Sequence, residues 1–231
     1  MENNIIQKSK NFYENRFLVA QKYLKGEGIE IGALHTPLKK PDGVNVKYVD
    51  RFKKENLVFH YAELNKEEIV ETDIVDDCER LLTFKNDSQD FIIANHVLEH
   101  CEDPILAMQN FLRVIKKGGF IFLCLPIKKY NIDSHRKTTS YFHFLTDHFI
   151  TPKLFRPFHY FAWVFLAEKH DLIKAIKRTR ELLKINYSIH FHVWSEESFL
   201  DFLKKINKKS VFDIEHFERY EGEVVCVLKK K

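Results

Sequence analysis

The stretch from Gln89 to Pro126 restricts the fold of this chain more than any other part of it. Its first apolar run, Phe91–Ala94, is too short for a helix and has the length of a strand buried on both faces. From Ile105 onward, apolar residues recur every three or four positions, which is the period of a helix with one buried face. A second apolar run ends at Pro126. Strand, helix and strand in this order predict a βαβ unit, and therefore a parallel sheet covered by helices.

The residues that flank the predicted helix indicate where it begins and ends. Glu102, Asp103 and Pro104 stand at its start, where acidic residues and proline are favoured. Two lysines followed by the pair Gly118–Gly119 stand after its last periodic residue, and this pattern predicts that the helix ends there.

Polar residues also follow the strands predicted before this unit. Gly32 ends the first strand, Asp50 ends the second, and Asp76–Asp77 follow the third. Because ligands bind beyond the carboxyl ends of parallel strands, we expect these residues to line one cleft. Glycine lets a ligand approach the backbone, and a carboxylate accepts hydrogen bonds from both ribose hydroxyls. The pattern therefore predicts a nucleotide-like ligand.

Length and charge limit the class of protein. The chain has 231 residues, of which 45% are apolar, enough for one α/β domain with additions. It has neither an apolar run of ~20 residues nor a visible leader, so we expect a soluble, cytoplasmic protein without a membrane span. The net charge is +4 and the lysines are scattered, which argues against a nucleic-acid partner. The four cysteines form no CxxC pair, which is typical of reduced thiols with a packing role.

Several motifs resemble those of the class I S-adenosylmethionine-dependent methyltransferases, over roughly residues 26–126. The matching segments are Ile29–Gly32, Tyr48–Asp50, Asp77–Glu79, Ser88–Phe91, Asn95–His100 and Leu112–Gly119. The resemblance implies an α/β fold with a Rossmann-like, seven-stranded, mostly parallel sheet. It also implies a terminal antiparallel hairpin and, after strand 5, a helical lid insertion. S-adenosylmethionine is the implied cofactor.

The resemblance assigns cofactor contacts residue by residue. Gly32 would face the methionine part, Asp50 would hold the ribose, and Asp77 or Asp76 would meet the adenine amine. The full set of implied cofactor-binding residues is Glu30, Gly32, Ala33, Asp50, Arg51, Asp76, Asp77, Cys78, Asn95 and His96. The family usually has two or three glycines in its first motif, whereas Leu34 here must fit without the conformational freedom of glycine.

We divide the chain into three parts. Residues 1–126 are expected to form the S-adenosylmethionine-binding core, 127–188 a substrate or lid insertion, and 189–231 a helix and strands that complete the sheet. The insertion and the segment after it resemble a smaller subgroup of enzymes from surface-polysaccharide and glycan pathways, which implies a sugar or sugar-nucleotide acceptor. The residues of this resemblance are Asp133, Arg136, Thr139, His143, His190, His192 and Trp194.

Methyl transfer to a sugar hydroxyl benefits from a general base, and histidine is the usual choice. We favour His143 as the base, with His135, His190 and His192 as alternatives, and Asp133 or Asp147 as the residue that orients it. Arg136 would bind a carboxylate or a phosphate of the substrate. The substrate-binding residues predicted are Arg136, Thr139, His190, His192 and Trp194.

The sequence does not predict a metal site. His190 and His192 would share one face of a strand, but no regularly spaced third ligand accompanies them. The predicted function is therefore O-methylation of a sugar or related small molecule. Two alternatives stay open, N-methylation of an amino sugar or other small molecule and a non-catalytic binding protein with the same fold. A homo-oligomer is compatible with the sequence.

Overall fold

Seven strands form one mixed sheet in the computed structural model. They are β1 (Gly26–Ile31), β2 (Val44–Asp50), β3 (Ile74–Val75), β4 (Gln89–Asn95), β5 (Ile115–Pro126), β6 (Phe212–Tyr220) and β7 (Glu223–Lys230). Their order is β3-β2-β1-β4-β5-β7-β6, and β7 runs antiparallel to both neighbours whereas the other pairs are parallel. The structure describes residues 2–61, 64, 68–150 and 152–231, with side chains from Tyr13 onward. The predicted sheet and its terminal antiparallel hairpin are confirmed.

Seven helices accompany this sheet in the described residues. They are α1 (Glu2–Tyr23), α2 (Lys54–His60), α3 (Pro104–Val114), α4 (Tyr141–Ile150), α5 (Pro152–Leu166), α6 (Leu172–Lys184) and α7 (Glu196–Ile206). α3 begins as the sequence predicts, because the Asp103 side chain accepts a hydrogen bond from the backbone N–H of Leu106 at 2.9 Å. Helices α4 to α6 lie between β5 and α7 in the chain, where the insertion was expected.

α3 ends before the glycine pair, so the prediction for its last turn is wrong. Ile115 is already extended and begins β5, pairing with Gln89. Gly118 has a φ of +76°, and a Cβ on Gly119 would lie 2.6 Å from the carbonyl oxygen of Asp90. The two glycines therefore lie in an irregular part of β5, where the backbone of β4 comes close, and they do not end α3.

Helices cover both faces of the sheet. Along β4, Phe91 and Ile93 belong to one hydrophobic cluster, and Ile92 and Ala94 to another on the opposite side. α1 packs on the first face, whereas α3 and α7 pack on the second. Burying a large apolar side chain in this way stabilises the fold by about 1.5–3 kcal/mol. Burial on both sides explains why β4 reads as a continuous apolar run.

The insertion has a small core of its own. Tyr160, Trp163 and Val164 of α5 pack there against Leu182 of α6 and Ile189. Its outer surface exposes large apolar side chains, among them Phe142, Phe149, Leu154 and Phe158. Within the part of the chain that the structure describes, no helix has both the length and the apolar character needed to cross a membrane.

Candidate active site

A cleft of about 670 Å³ opens at the carboxyl ends of the strands. Such a volume is common for sites that hold a small molecule or a cofactor. One wall contains the tips of strands and the loops after them, including Gly32, Asp50, Asp77 and His96. The other wall comes from α5 and from the chain that follows α6, residues 186–188 and Phe191. Strand tips and insertion therefore face each other across one space.

The loop after β1 begins with a turn that favours glycine. Gly32 has a φ of +64°, and a Cβ at this position would lie 3.4 Å from the Val97 side chain. Leu34 also has a positive φ, +47°, which is uncommon for a residue with a side chain. The loop therefore has left-handed backbone at Leu34, within the motif in which the family that the sequence resembles usually has further glycines.

Three predicted cofactor residues, Glu30, Ala33 and Asn95, lie behind the cleft surface and do not line it. Glu30 is fully buried and accepts a hydrogen bond from the backbone N–H of Leu38 at 2.8 Å. Burial raises the pKa of Glu30 to about 7. Both polar atoms of the Asn95 side chain are buried without a hydrogen-bond partner among the described residues. Glu30 therefore stabilises the loop between β1 and β2 from the interior of the protein.

Asp50 and Arg51 stand side by side at the end of β2. The Asp50 carboxylate lines the cleft, accepts a hydrogen bond from the Arg51 backbone N–H at 2.7 Å, and has its pKa raised to about 6 by burial. The Arg51 guanidinium donates to the carbonyl of Asn186 at 3.1 Å and to the hydroxyl of Tyr61 at 3.2 Å. Asp50 thus presents a carboxylate to the cleft, while Arg51 ties the sheet to the insertion.

The two acidic residues after β3 differ in role. Asp76 accepts hydrogen bonds from the backbone N–H groups of Asp77, Leu82 and Thr83, so its carboxylate closes the loop on itself. Asp77 also lines the cleft and is exposed on its wall, next to Cys78. Its Oδ1 accepts a hydrogen bond from the backbone N–H of Glu79 at 2.9 Å, and its Oδ2 lies 3.6 Å from Nε of Arg80.

His96 reaches the cleft from directly after β4, with a left-handed backbone at φ +54°. Its Nε2 lies 2.7 Å from Oε2 of Glu223 and 3.0 Å from Nη2 of Arg16. Its Nδ1 lies 3.7 Å from Oε1 of Glu99. The two carboxyl groups are almost fully buried, whereas 39% of the His96 side chain is exposed. The buried side chains of Arg16, Glu99 and Glu223 therefore surround a ring that is open to the cleft.

Sequence reasoning misses Arg16 and Glu223. Arg16 lies on α1 and Glu223 is the first residue of β7, where strand pairing sets it opposite Pro126. The Arg16 guanidinium donates to both carboxylate oxygens of Glu223. One signal was present in the sequence, because an acidic residue that opens an otherwise buried strand needs a partner.

The insertion contributes cationic and aromatic side chains to the cleft. Lys153 and Arg156 of α5 line it, and Arg156 is paired with the Glu102 carboxylate. Tyr160 also lines the cleft, and its hydroxyl donates to the backbone carbonyl of Tyr187 at 2.5 Å. This wall contrasts with the acidic strand tips that face it.

Asp133 and Arg136, predicted as catalytic and substrate-binding residues, form an internal ion pair outside the cleft. Arg136 Nη1 donates to Asp133 at 2.7 Å and to the carbonyl of His190 at 2.8 Å. The His190 ring lies 2.5 Å from the other Asp133 oxygen. Burial by itself would raise the pKa of the Asp133 carboxyl group. The pKa is nevertheless below its usual value, because His190 contributes a hydrogen bond and a charge and Arg136 contributes a second charge. These groups already satisfy one another.

Glu99, His100 and His190 meet beside the cleft, which His100 lines. One possible ligand atom from each lies within 4.8 Å of the others. His100 Nδ1 is 2.9 Å from the carbonyl oxygen of Ile189, and burial lowers the pKa of this ring to about 3. Burial raises the pKa of Glu99, whose carboxyl oxygens receive no hydrogen bond from another described residue.

His143, the base favoured from sequence, does not line the cleft. It lies on α4 beside Asp147, and the rings of His159 and His192 approach the same carboxyl group. Burial lowers the pKa of His143 and takes that of His192 well below its usual value. The expectation that His190 and His192 share a strand face is wrong, because 189–194 is not a strand and the two rings lie in different groups.

Three further predicted residues also lie outside the cleft lining. His135 is exposed on the surface. Thr139 exchanges hydrogen bonds with the backbone of Val193, its hydroxyl accepting at 2.9 Å. Trp194 is 1% exposed and stacks on Phe144 with ring centroids 4.7 Å apart. Trp194 is thus a core residue in this structure and has no open face for a sugar.

Comparison with known proteins gives a matching domain model for part of the chain and a fold for the whole of it. Residues 28–123 match the family model described as a methyltransferase domain. No curated protein matches the sequence.

Solved structures resemble the whole chain at low sequence identity. A Thermotoga maritima protein described as an S-adenosylmethionine-dependent methyltransferase, possible histamine N-methyltransferase, has a TM-score of 0.52 at 15% identity, over 100% of this chain and 94% of its own. A methyltransferase of the same type from Methanosarcina mazei has a TM-score of 0.51 at 17% identity, over 92% and 96%. A Rhodobacter sphaeroides protein provisionally described as a zinc-dependent alcohol dehydrogenase has a TM-score of 0.58 at 13% identity, over 94% and 89%. At these identities the likeness supports the fold.

Proposed function

Residues 28–123 match the model of a methyltransferase domain, and we propose that this chain is an S-adenosylmethionine-dependent methyltransferase that methylates a hydroxyl group of a sugar or sugar nucleotide. We place the reaction in the cytoplasm, in surface-glycan biosynthesis. The observation that carries the proposal is the two-sided cleft, with acidic strand tips on one wall and Lys153 and Arg156 on the other. The pathway rests on the resemblance of the insertion motifs.

The strand tips fit the cofactor. The left-handed turn at Gly32 lets a ligand approach the backbone closely, and the Asp50 carboxylate is placed at the end of the next strand to accept both ribose hydroxyls. Asp77, exposed on the same wall, suits the adenine amine. When bound, the cofactor supplies an electrophilic methyl group on a sulfonium centre. The chain's own task is then to align the acceptor and to remove its proton.

The opposite wall suits an anionic acceptor. Lys153 is exposed in the cleft, and Arg156 lies one helical turn further along α5. Lys153 is a cation of the kind that recognises a phosphate or diphosphate group, whereas Arg156 already pairs with the Glu102 carboxylate. Tyr160 and Tyr187 add aromatic surface to the same wall, which suits the apolar face of a sugar ring.

His96 is the histidine best placed to act as general base. It lines the cleft at the strand tip next to the loop of Gly32, whereas His143 does not line it. When its Nε2–H donates to Glu223, the Nδ1 lone pair is left to accept a proton. The alternative tautomer, in which Nε2 accepts from Arg16, leaves the proton on Nδ1. Glu223 and Arg16 therefore select the tautomer of the ring, and the contact with Glu223 selects the one in which Nδ1 can act as the base.

A transfer assay tests this proposal. The full-length chain is incubated with S-adenosylmethionine carrying an isotope-labelled methyl group and with single candidate acceptors: sugar nucleotides, free sugars, amino-sugar nucleotides and small amines. Mass spectrometry then locates the label. We expect label on an oxygen of a sugar nucleotide, and we expect Asp50→Asn to weaken cofactor binding measured by calorimetry.

Other results separate the alternatives. Label on nitrogen would replace the proposal by N-methylation, which needs less help from a base because an amine carries its own lone pair. Cofactor binding without label on any acceptor class would reject a sugar or sugar nucleotide as the substrate. Absence of cofactor binding at millimolar concentration would indicate a binding protein that keeps the fold.

A further inference from the structure

A buried carboxyl group behind the cleft wall is surrounded by three imidazoles. Oδ2 of Asp147 lies 3.3 Å from Nε2 of His143 and 3.7 Å from Nε2 of His192. Oδ1 lies 3.7 Å from Nε2 of His159. Spacing of four residues places Asp147 and His143 on one face of α4, whereas His159 comes from α5 and His192 from the segment after α6. Three separate parts of the chain thus meet at one point.

One possible ligand atom each from His143, Asp147 and His192 lies within 4.8 Å of the others, and Nε2 of His159 adds a fourth nitrogen 3.7 Å from the carboxyl group. With bonds of ~2.0–2.1 Å, the ligand atoms of a tetrahedral site stand about 3.3–3.4 Å apart. The three N···O distances above are equal to this spacing or a few tenths of an ångström longer. The three rings are also evenly arranged, with centroids 5.0 Å apart for His143 and His159, 5.8 Å for His143 and His192, and 5.7 Å for His159 and His192.

The carboxyl group itself lacks the hydrogen bonds that a buried acid needs. Asp147 is fully buried, and neither of its oxygens has a hydrogen-bond partner in the described part of the chain. The imidazole nitrogens are all farther away than the 2.7–3.2 Å of ordinary hydrogen bonds. A buried carboxylate without a partner is costly, and a cation between it and the three rings would satisfy all four groups together.

We propose that His143, Asp147, His159 and His192 bind a divalent transition-metal ion. Three imidazoles and one carboxylate are ligands of Zn²⁺, and four protein ligands make the closed coordination of a structural site. The ion ties α4 and α5 to the segment around His192. Phe191, which lines the cleft, packs against the His159 ring, and Nε2 of His192 lies 3.3 Å from the backbone carbonyl oxygen of Glu102, a contact that metal ligation through this nitrogen would replace. The metal therefore supports the insertion wall from behind, independently of the acceptor.

Metal analysis of the full-length chain, purified without chelators, tests the proposal. We expect one equivalent of bound metal in the wild type, and a loss of most of it in Asp147→Asn and in His143→Gln. His143 is 41% exposed, so its replacement leaves the core intact. The matched control is His170→Gln, since His170 also pairs with an acidic residue, Glu168, but on the surface. This control keeps the metal.

A second variant tests the location of the ion. His190→Gln alters the other histidine group, formed with Glu99 and His100, and leaves the four proposed ligands in place. We expect it to keep its metal. Metal loss in His190→Gln together with retention in Asp147→Asn would overturn the assignment.

A titration whose deciding measurement is made on the wild-type protein completes the test. Wild-type protein stripped with a chelator is titrated with Zn²⁺ against a chromophoric competitor, and with Co²⁺ while its visible spectrum is recorded. We expect submicromolar Zn²⁺ affinity, a tetrahedral Co²⁺ spectrum, and affinity at least about 100-fold weaker in His143→Gln. A stripped wild type that folds normally and shows no such affinity would refute the site.

Discussion

Nε2 of His96 lies 2.7 Å from Oε2 of Glu223, although 127 residues separate them in the chain. The contact exists because β7 enters the sheet beside β5, so that the first residue of β7 reaches the same edge as the end of β4. Arg16 from α1 completes the group and is 4% exposed. α1, the end of β4 and the start of β7 thus meet at the His96 ring, which faces the cleft.

Replacement of His96 by glutamine is expected to lower kcat for methylation of a hydroxyl by about 10²–10⁴-fold, because the proton acceptor is lost. Binding of S-adenosylmethionine, measured by calorimetry, should change much less, since Asp50 and Gly32 are intact. His170→Gln, on the surface, serves as the control and should keep full turnover. Undiminished turnover in His96→Gln would exclude this residue as the base.

Replacement of Arg16 by leucine is expected to lower the free energy of unfolding by about 3–5 kcal/mol, because it leaves the buried Glu223 carboxylate without its main partner. Urea denaturation measures the loss. The control is Lys205→Met, which removes an exposed pair with Asp201 and should cost less than about 1 kcal/mol. Equal losses in the two variants would show that the buried Arg16–Glu223 pair contributes no more to the free energy of unfolding than an exposed ion pair does.

Affinity for S-adenosylmethionine is expected to fall at acidic pH through Asp50. The pKa of Asp50 is raised by burial to about 6, and the ionised form is the one that accepts two ribose hydroxyls. The carboxyl is therefore mostly ionised at pH 7 and mostly protonated at pH 5. The dissociation constant should rise about 10-fold between these values.

Calorimetry at the two pH values measures that change, and Asp50→Asn isolates its source. Glu30 and Glu79, whose pKa values are raised by burial to about 7, also titrate in this range. If Asp50 is responsible, the variant binds weakly at both pH values and loses most of the dependence. A variant with the full pH dependence would assign the effect to another group.

Replacement of Trp194 by alanine is expected to lower the free energy of unfolding by about 3–5 kcal/mol, because the ring fills core space against Phe144, Phe199 and Phe202. Trp194→Phe should retain most of the stability and leave KM for the acceptor unchanged. A large rise in KM with little loss of stability would instead support the sugar-stacking role expected from the sequence motif.

Much of the fold could be predicted because its signals are local. The apolar runs of β4 and β5 and the period of α3 reflect burial of neighbouring residues within one element. The strand tips at Gly32, Asp50 and Asp77 could also be predicted, since the carboxyl ends of parallel strands meet at one edge. The end of α3 could not, because strand pairing outweighs the helix-stop signal of the glycines.

The side chains of the insertion show where such reasoning stops. Arg136 and His143 belong to one sequence pattern and His190 and Trp194 to another, both from the same resemblance, yet the four residues lie in an ion pair, in two different histidine groups and in the core. The spacing of His190 and Trp194 in the sequence does not show which side chains they contact, because 189–194 is not a regular strand with a fixed face.

By itself the sequence determined the layered sheet and the meeting of Gly32, Asp50 and Asp77 at one edge of it, since both depend on contacts within an element or between adjacent parallel strands. Tertiary structure alone decided which histidines face the cleft and which three surround Asp147. Those groups come from elements far apart in the chain, and only the packing of the insertion against the sheet sets the few ångströms between them.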